Sequence, residues 1–156
     1  MKLVPSSFQA PERLETSDFV IRKLMYDDAK WDYESVMSNI DIIRKTRGGD
    51  WPTSELTFKE DQIDLAWHQR EFECMHSFAY LVTSSDEQEY IGCLYLYPPG
   101  FREEKSKERD VDVSFWVTRK AYDQGLYPIL YKTLDGWLKS SWPFKTVAYS
   151  NKELPE

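Results

Sequence analysis

Residues 119–138, RKAYDQGLYPILYKTLDGWL, hold the point where the chain changes its rhythm. From Leu126 onward the apolar residues Leu126, Ile129, Leu130, Leu134, Trp137 and Leu138 recur at steps of three and four, which predicts an amphipathic helix over 126–140. Upstream, DVDVSFWVT (110–118) alternates instead. Val111, Val113, Phe115 and Val117 form one face of a strand, and Asp112, Ser114 and Trp116 form the other. The join is therefore a strand that runs into a helix through a tight loop at Gly125. Such a loop aims backbone N–H groups and the positive end of a helix at one point, where an anion can sit. Taken alone, YDQGLY also reads as an ordinary strand-to-helix turn.

Outward from that block the pattern is regular. KTVAYS (145–150) predicts a last short strand, and SFAYLVTS (77–84) with EYIGCLYLYP (89–98) predicts a hairpin closed by the polar turn SDEQ. In the second hairpin strand Ile91, Cys93 and Tyr95 should point one way and Tyr90, Leu94 and Leu96 the other, so helices should cover both faces. FVIRKLM (19–25) reads as another strand. Asp27 and Asp28 precede a helical stripe of Ala29, Tyr33, Val36, Met37 and Ile40, which ends in the polar loop TRGGDWP (46–52). Thr57 and Glu60 have capping-box spacing at the head of a long helix to about Met75, with Phe58, Leu65 and Phe72 on one ladder. The charged loop PGFREEKSKERD should be solvated, with a substrate-contacting lid as the alternative. The order β–α–α–β–β–β–α–β predicts an α/β domain over 1–156 with mixed strand directions.

Composition narrows the function classes. The 156 residues carry a net charge of −7, with basic residues scattered among acidic ones. That disfavours nucleic acid or an anionic membrane as a partner. No apolar run approaches the roughly 20 residues of a spanning helix, and MKLVPSSFQAPERLE lacks the apolar centre of a secretory signal, so a cytoplasmic protein is expected. Cys74 and Cys93 read as free buried thiols. His68 and His76 match no metal spacing, no metal site is expected, and both histidines should be solvent-facing or locally bonded.

The element order, together with FWV (115–117), TRKA (118–121), YDQGLY (122–127) and PILYKTL, resembles the GNAT family of acyl-CoA-dependent N-acetyltransferases. The opening ETSDFVIRKLMYDDA resembles its branch that acetylates ribosomal-protein N-termini. The resemblance implies a mixed, largely antiparallel sheet with helices on both faces. Gly125 falls on the middle glycine of the family's pyrophosphate motif. Tyr122 stands where Arg or Gln is usual, and Tyr127 where Gly or Ala is usual. Pro128 suits the first helical turn. KTVAYSN reaches Asn151 where the family has an Asn. The family pattern then continues with a helix and two strands, and the helix carries a Tyr that protonates the leaving thiolate; this sequence ends five residues after Asn151.

Acetyl-CoA as co-substrate, with direct attack by an amine on the thioester, is what the resemblance implies. Main-chain groups of Phe115 and Val117, beside Trp116, would hold the pantetheine arm. Tyr122, Asp123, Gln124, Gly125, Leu126 and Tyr127 would face the pyrophosphate, with Asn151 nearby. Asp112 is the candidate base, although Asp110 and Asp112 read equally as surface charges. Trp51, Tyr95 and Tyr97 are candidates for the acceptor cleft, with core packing as the other reading. The acceptor would be a small amine or a peptide N-terminus. A catalytically silent binding protein on the same fold is the second hypothesis, and a homodimer through the exposed strand 145–150 is a third possibility.

Overall fold

The computed structural model describes every residue from Met1 to Glu156. Six strands form one sheet in sequence order: β1 (Arg13–Glu15), β2 (Phe19–Lys23), β3 (Phe78–Ser84), β4 (Tyr90–Tyr97), β5 (Val111–Val117) and β6 (Val147–Tyr149). All neighbours run antiparallel except β5 and β6, which are parallel. The helices are α1 (Ala29–Met37), α2 (Ile40–Arg47), α3 (Phe58–Glu73), α4 (Arg119–Asp123) and α5 (Leu126–Ser141). A mixed, mainly antiparallel sheet between helices is thus the architecture that the family resemblance implied.

Two apolar cores lie on the two faces of this sheet. Val36 of α1, Ile43 of α2 and Leu65 of α3 pack with Leu81, Cys93, Tyr95 and Trp116 on one side. Leu130, Leu134, Trp137 and Leu138 of α5 pack with Phe78, Leu94, Val113 and Phe115 on the other. The head of α3 is fixed as its sequence suggests: Thr57 Oγ1 accepts from Glu60 N–H, and the Glu60 carboxylate accepts from Thr57 N–H.

Three local expectations are corrected. Arg13–Glu15 pairs with β2 as an edge strand that its composition hid, since Leu14 is its single apolar residue. The stripe from Ala29 to Ile40 is not one helix; it breaks at Ser38 and Asn39, and α2 then extends through Thr46 and Arg47, into the stretch whose polar sequence predicts a loop. The facing of β4 also changes partway. Val82 pairs with Gly92 but Thr83 pairs with Tyr90, so Ile91 is an extra residue, a β-bulge. Tyr90 therefore joins Cys93, Tyr95 and Tyr97 on the α1–α3 face, and Ile91 joins Leu94 and Leu96 on the α5 face.

Gly92 sits at that bulge for a steric reason. A Cβ there would lie 1.9 Å from the Trp116 carbonyl oxygen on β5. No helix is long and apolar enough to cross a membrane.

Candidate functional site: a groove closed by the last residues and a cavity beside it

The join between β5 and α5 is more structured than a loop. Thr118 Oγ1 accepts from Ala121 N–H and starts α4, and Gln124 ends it. Gly125 then takes a left-handed conformation (φ 81°), which a residue without Cβ adopts freely, and α5 begins at Leu126. Asp123, Gln124 and Gly125 are exposed there, and nothing lies within 4 Å of where a Gly125 Cβ would be.

Tyr127 does not crowd this turn. Its side chain is buried, with the ring 5.0 Å from that of Phe115 and 5.6 Å from that of Tyr122. Its hydroxyl donates to the Glu153 carbonyl and accepts from Asn151 Nδ2.

Asn151 completes the arrangement. β5 and β6 pair only as far as Val113 and Tyr149, and then part. In the gap the Asn151 amide bridges one residue of β5: its Oδ1 accepts from Phe115 N–H at 3.0 Å, and its Nδ2 donates to the Phe115 carbonyl at 2.9 Å. The chain then crosses to α2, where Lys152 N–H donates to Arg47 O and Glu153 N–H to Thr46 O. The Glu153 carboxylate accepts from the Tyr122 hydroxyl and pairs with Lys45. By ladder alternation the main chain of Val117 faces the same side as that of Phe115, but no residue of this segment reaches it.

Across β5, under α3, lies a cavity of about 190 Å³. It brings together the three aromatic residues picked for an acceptor cleft, Trp51, Tyr95 and Tyr97. Trp116, placed beside the cofactor by its position, instead has its ring on this face: it stacks on Tyr90, and its indole N–H donates to the Tyr95 hydroxyl.

The charged residues of the cavity were not anticipated. Asp32 of α1 is buried and accepts from the Tyr90 hydroxyl and from the Cys93 thiol. Asp61 of α3 faces it. Neither Asp61 oxygen finds a donor among the protein's groups, and burial with the Asp32 carboxylate alongside pushes the Asp61 carboxyl up to about 9. The two carboxyls therefore share a proton near neutral pH.

At the other end Arg47 is 8% exposed. Its guanidinium lies 4.2 Å from the Tyr95 ring centre, and its Nε donates to Ser114 Oγ at 3.1 Å. His68 lines the wall between them. Burial and Arg47 lower it to about 4, so its imidazole is neutral, contrary to a solvent-facing placement. His76 does bond locally, to Glu71.

A sequence signal for these groups existed. Phe58, Asp61, Leu65, His68 and Phe72 follow one i, i+3, i+4 ladder on α3, so two polar residues stand on its apolar stripe. Asp32 likewise lies between Ala29 and Val36, both buried, on α1.

Asp112 lies apart from this cavity. Fully buried, its Oδ2 accepts from Arg102 N–H and from the Ser106 hydroxyl, so it holds the 98–110 segment against β5. That segment is not simply solvated. Ser106 is buried, and the Arg102 guanidinium donates to the carbonyls of Arg47 and Gly48 and to Ser150.

No family model and no curated protein matches the sequence. Solved structures do match in fold. The ribosomal-protein-S5-alanine acetyltransferase from Vibrio fischeri superposes with a TM-score of 0.61 at 13% identity, over 81% of this chain and 66% of that one. RimL, a ribosomal L7/L12 α-N-protein acetyltransferase solved with coenzyme A, gives 0.60 at 13% identity over 80% and 66%. The enzyme from Salmonella typhimurium that modifies the N-terminal serine of L7/L12 gives 0.58 at 12% identity over 80% and 63%. This chain thus spans 63–66% of the length of those three proteins. The fold of this chain is that of the GNAT acetyltransferases.

Proposed function

We propose that this chain is an acyl-CoA-dependent N-acyltransferase, moving an acetyl group from acetyl-CoA to a small amine or a peptide N-terminus by direct attack. The observation that carries this reading is the gap between β5 and β6, which opens toward the left-handed Gly125 and the first turn of α5, next to a polar cavity on the other side of Ser114. The main-chain groups of Phe115 and Val117 would take the pantetheine arm, and the Gly125 turn the pyrophosphate. Residues 151–153 would have to leave the gap first, because Asn151 holds both Phe115 groups.

The amine would enter the cavity as its ammonium, displace the proton that Asp32 and Asp61 share, and then lose its own proton to the emptied pair. A carboxyl raised by burial is matched to that task, whereas His68 near 4 is a weak base and Asp112 is engaged by Arg102 and Ser106. The thiolate would leave to solvent through the same gap.

A second reading, a silent protein that keeps the fold for binding, is favoured by one observation: Tyr127 and Asn151 fill the gap with mutually satisfied hydrogen bonds. Calorimetric titration with acetyl-CoA, with desulfo-CoA and ADP as controls, separates the two. Micromolar binding followed by amine-dependent thiol release supports transfer. Absence of binding at millimolar acetyl-CoA, for the parent chain and for Asn151→Ala alike, rejects it.

A further inference from the structure

The cavity under α3 has two charged ends and an aromatic middle. At one end Asp61 is 1% exposed; it shares a proton with Asp32, and no N–H or O–H of any other residue reaches either of its oxygens. At the other, Arg47 is buried without an ion-pair partner; its Nε donates to the Ser114 hydroxyl, and its guanidinium rests over Tyr95 and beside Trp51. A buried cation and a buried acid group, each left without its complement, are costly unless something else supplies it.

The two groups do not neutralise each other, because β4 holds them apart. The Asp32 carboxyl sits at Tyr90 and Cys93, with Asp61 beside it, and the guanidinium sits over Tyr95. Two residues along one strand face is about 7 Å.

These charges discriminate among ligands. A simple amine would be drawn to Asp32 and Asp61 but repelled by Arg47, and a simple carboxylate would meet the reverse. An apolar molecule would leave both ends unsatisfied. We propose that the cavity binds a small zwitterion, with its ammonium on the Asp32–Asp61 pair, its carboxylate on Arg47, and its carbon chain against Leu65 and His68 of the cavity wall.

The size agrees. At about 30 Å³ for each water-sized group, 190 Å³ holds roughly six such groups, the scale of a short amino acid. The ammonium would take the place of the proton that Asp61 shares with Asp32, so one proton leaves the site for each ligand that enters.

This inference names the acceptor class for the transfer reading and rests on that reading only for the acyl step. The test therefore omits thioester. The intact chain is titrated calorimetrically with glycine, β-alanine and γ-aminobutyrate, and with n-butylamine and butyrate as single-charge controls, in two buffers of different ionisation enthalpy.

At least one zwitterion should bind roughly tenfold or more tightly than either control. Its heat should differ between the buffers, reporting the released proton, and Asp61→Asn should abolish that difference. Arg47→Gln should remove the preference for the zwitterion over n-butylamine. If either control matches the zwitterions, or if none of the three zwitterions binds, the proposal is overturned; both outcomes are read on the parent chain and need no variant to fold. A zwitterion that binds but accepts no acetyl group when acetyl-CoA is added would sink the transfer reading and leave the site standing.

Discussion

At the scale of single residues, Asp61 makes the clearest statement about pH. Its carboxyl stands near 9 in the folded chain against 3.8 for an ordinary aspartate, with burial the main cause and Asp32 the next. Between those values the folded chain keeps a proton that the unfolded chain has lost. Stability from this group is therefore complete below about pH 4 and declines as pH rises toward 9. Thermal midpoints should fall as pH rises from about 6.5 to 9; between about 4 and 6.5 His68, lowered to about 4 in the folded chain, contributes the opposite slope and offsets the fall. Asp61→Asn, which cannot titrate, should flatten the fall; an unchanged slope would mean that the pair does not hold its proton. The groups that face Asp61 in this titration are Asp32 of α1, Asp64 of α3, and Cys93 of β4. Asn151→Ala is the matching substitution in the groove. It frees Phe115 N–H and C=O, should lower stability by about 1–3 kcal/mol in urea unfolding, and should strengthen binding of acetyl-CoA. Trp51, Tyr95 and Tyr97, each open in the sequence to a cleft or a core reading, are buried or half-buried and line one cavity. Asp32 and Asp61 are hidden in the sequence because each sits on a helix stripe whose apolar members dominate the pattern, and the same stripe hides that His68 faces inward.

At the scale of elements, agreement between sequence and structure follows how much apolar surface an element buries. α3, α5, β3, β4 and β5 were readable because long periodic runs leave few alternatives. β1 was invisible: three residues with one leucine carry no period, and only the antiparallel ladder to β2 makes them a strand. The bulge at Ile91 was invisible for another reason. Both faces of β4 are apolar, so nothing in the alternation shows which face Tyr90 and Ile91 take. Gly92 reports the close approach of β4 and β5 at that point. Gly92→Ala drives a Cβ to 1.9 Å from a main-chain oxygen that no rotamer change can move. Loss of about 3 kcal/mol or more is expected in chemical denaturation; a loss below about 1 kcal/mol would show that the strands can part there. Thr57→Ala removes one cap on α3 and should cost only about 1 kcal/mol, so the pair ranks a backbone clash against a lost cap.

At the scale of the whole molecule, the sheet is the shared floor of two sites that a reading of the sequence treats separately. Ser114 and Trp116 bond the cavity residues Arg47 and Tyr95, and Phe115 bonds Asn151 in the gap, so consecutive residues of β5 support the two regions in turn. Segment 151–153 spans that gap and ties it to α2, whose last residue is Arg47. Occupying the gap with a cofactor therefore requires breaking the Asn151 bridge and the two main-chain bonds to Thr46 and Arg47, and this loosens the support of the cavity's cationic end. Hydrogen exchange followed residue by residue, with and without saturating acetyl-CoA, tests this coupling directly. The amides of Lys152 and Glu153 should exchange faster in the presence of acetyl-CoA, since their acceptors on α2 are lost. Phe115 should stay protected, because a pantetheine carbonyl replaces Asn151 Oδ1, and Val117 should gain protection. The mid-sheet amides of β3 and β4 should not change, since both cores remain packed on them. If acetyl-CoA binds while Lys152 and Glu153 keep their protection, the cofactor lies outside the β5–β6 gap, and segment 151–153 is a fixed part of the fold.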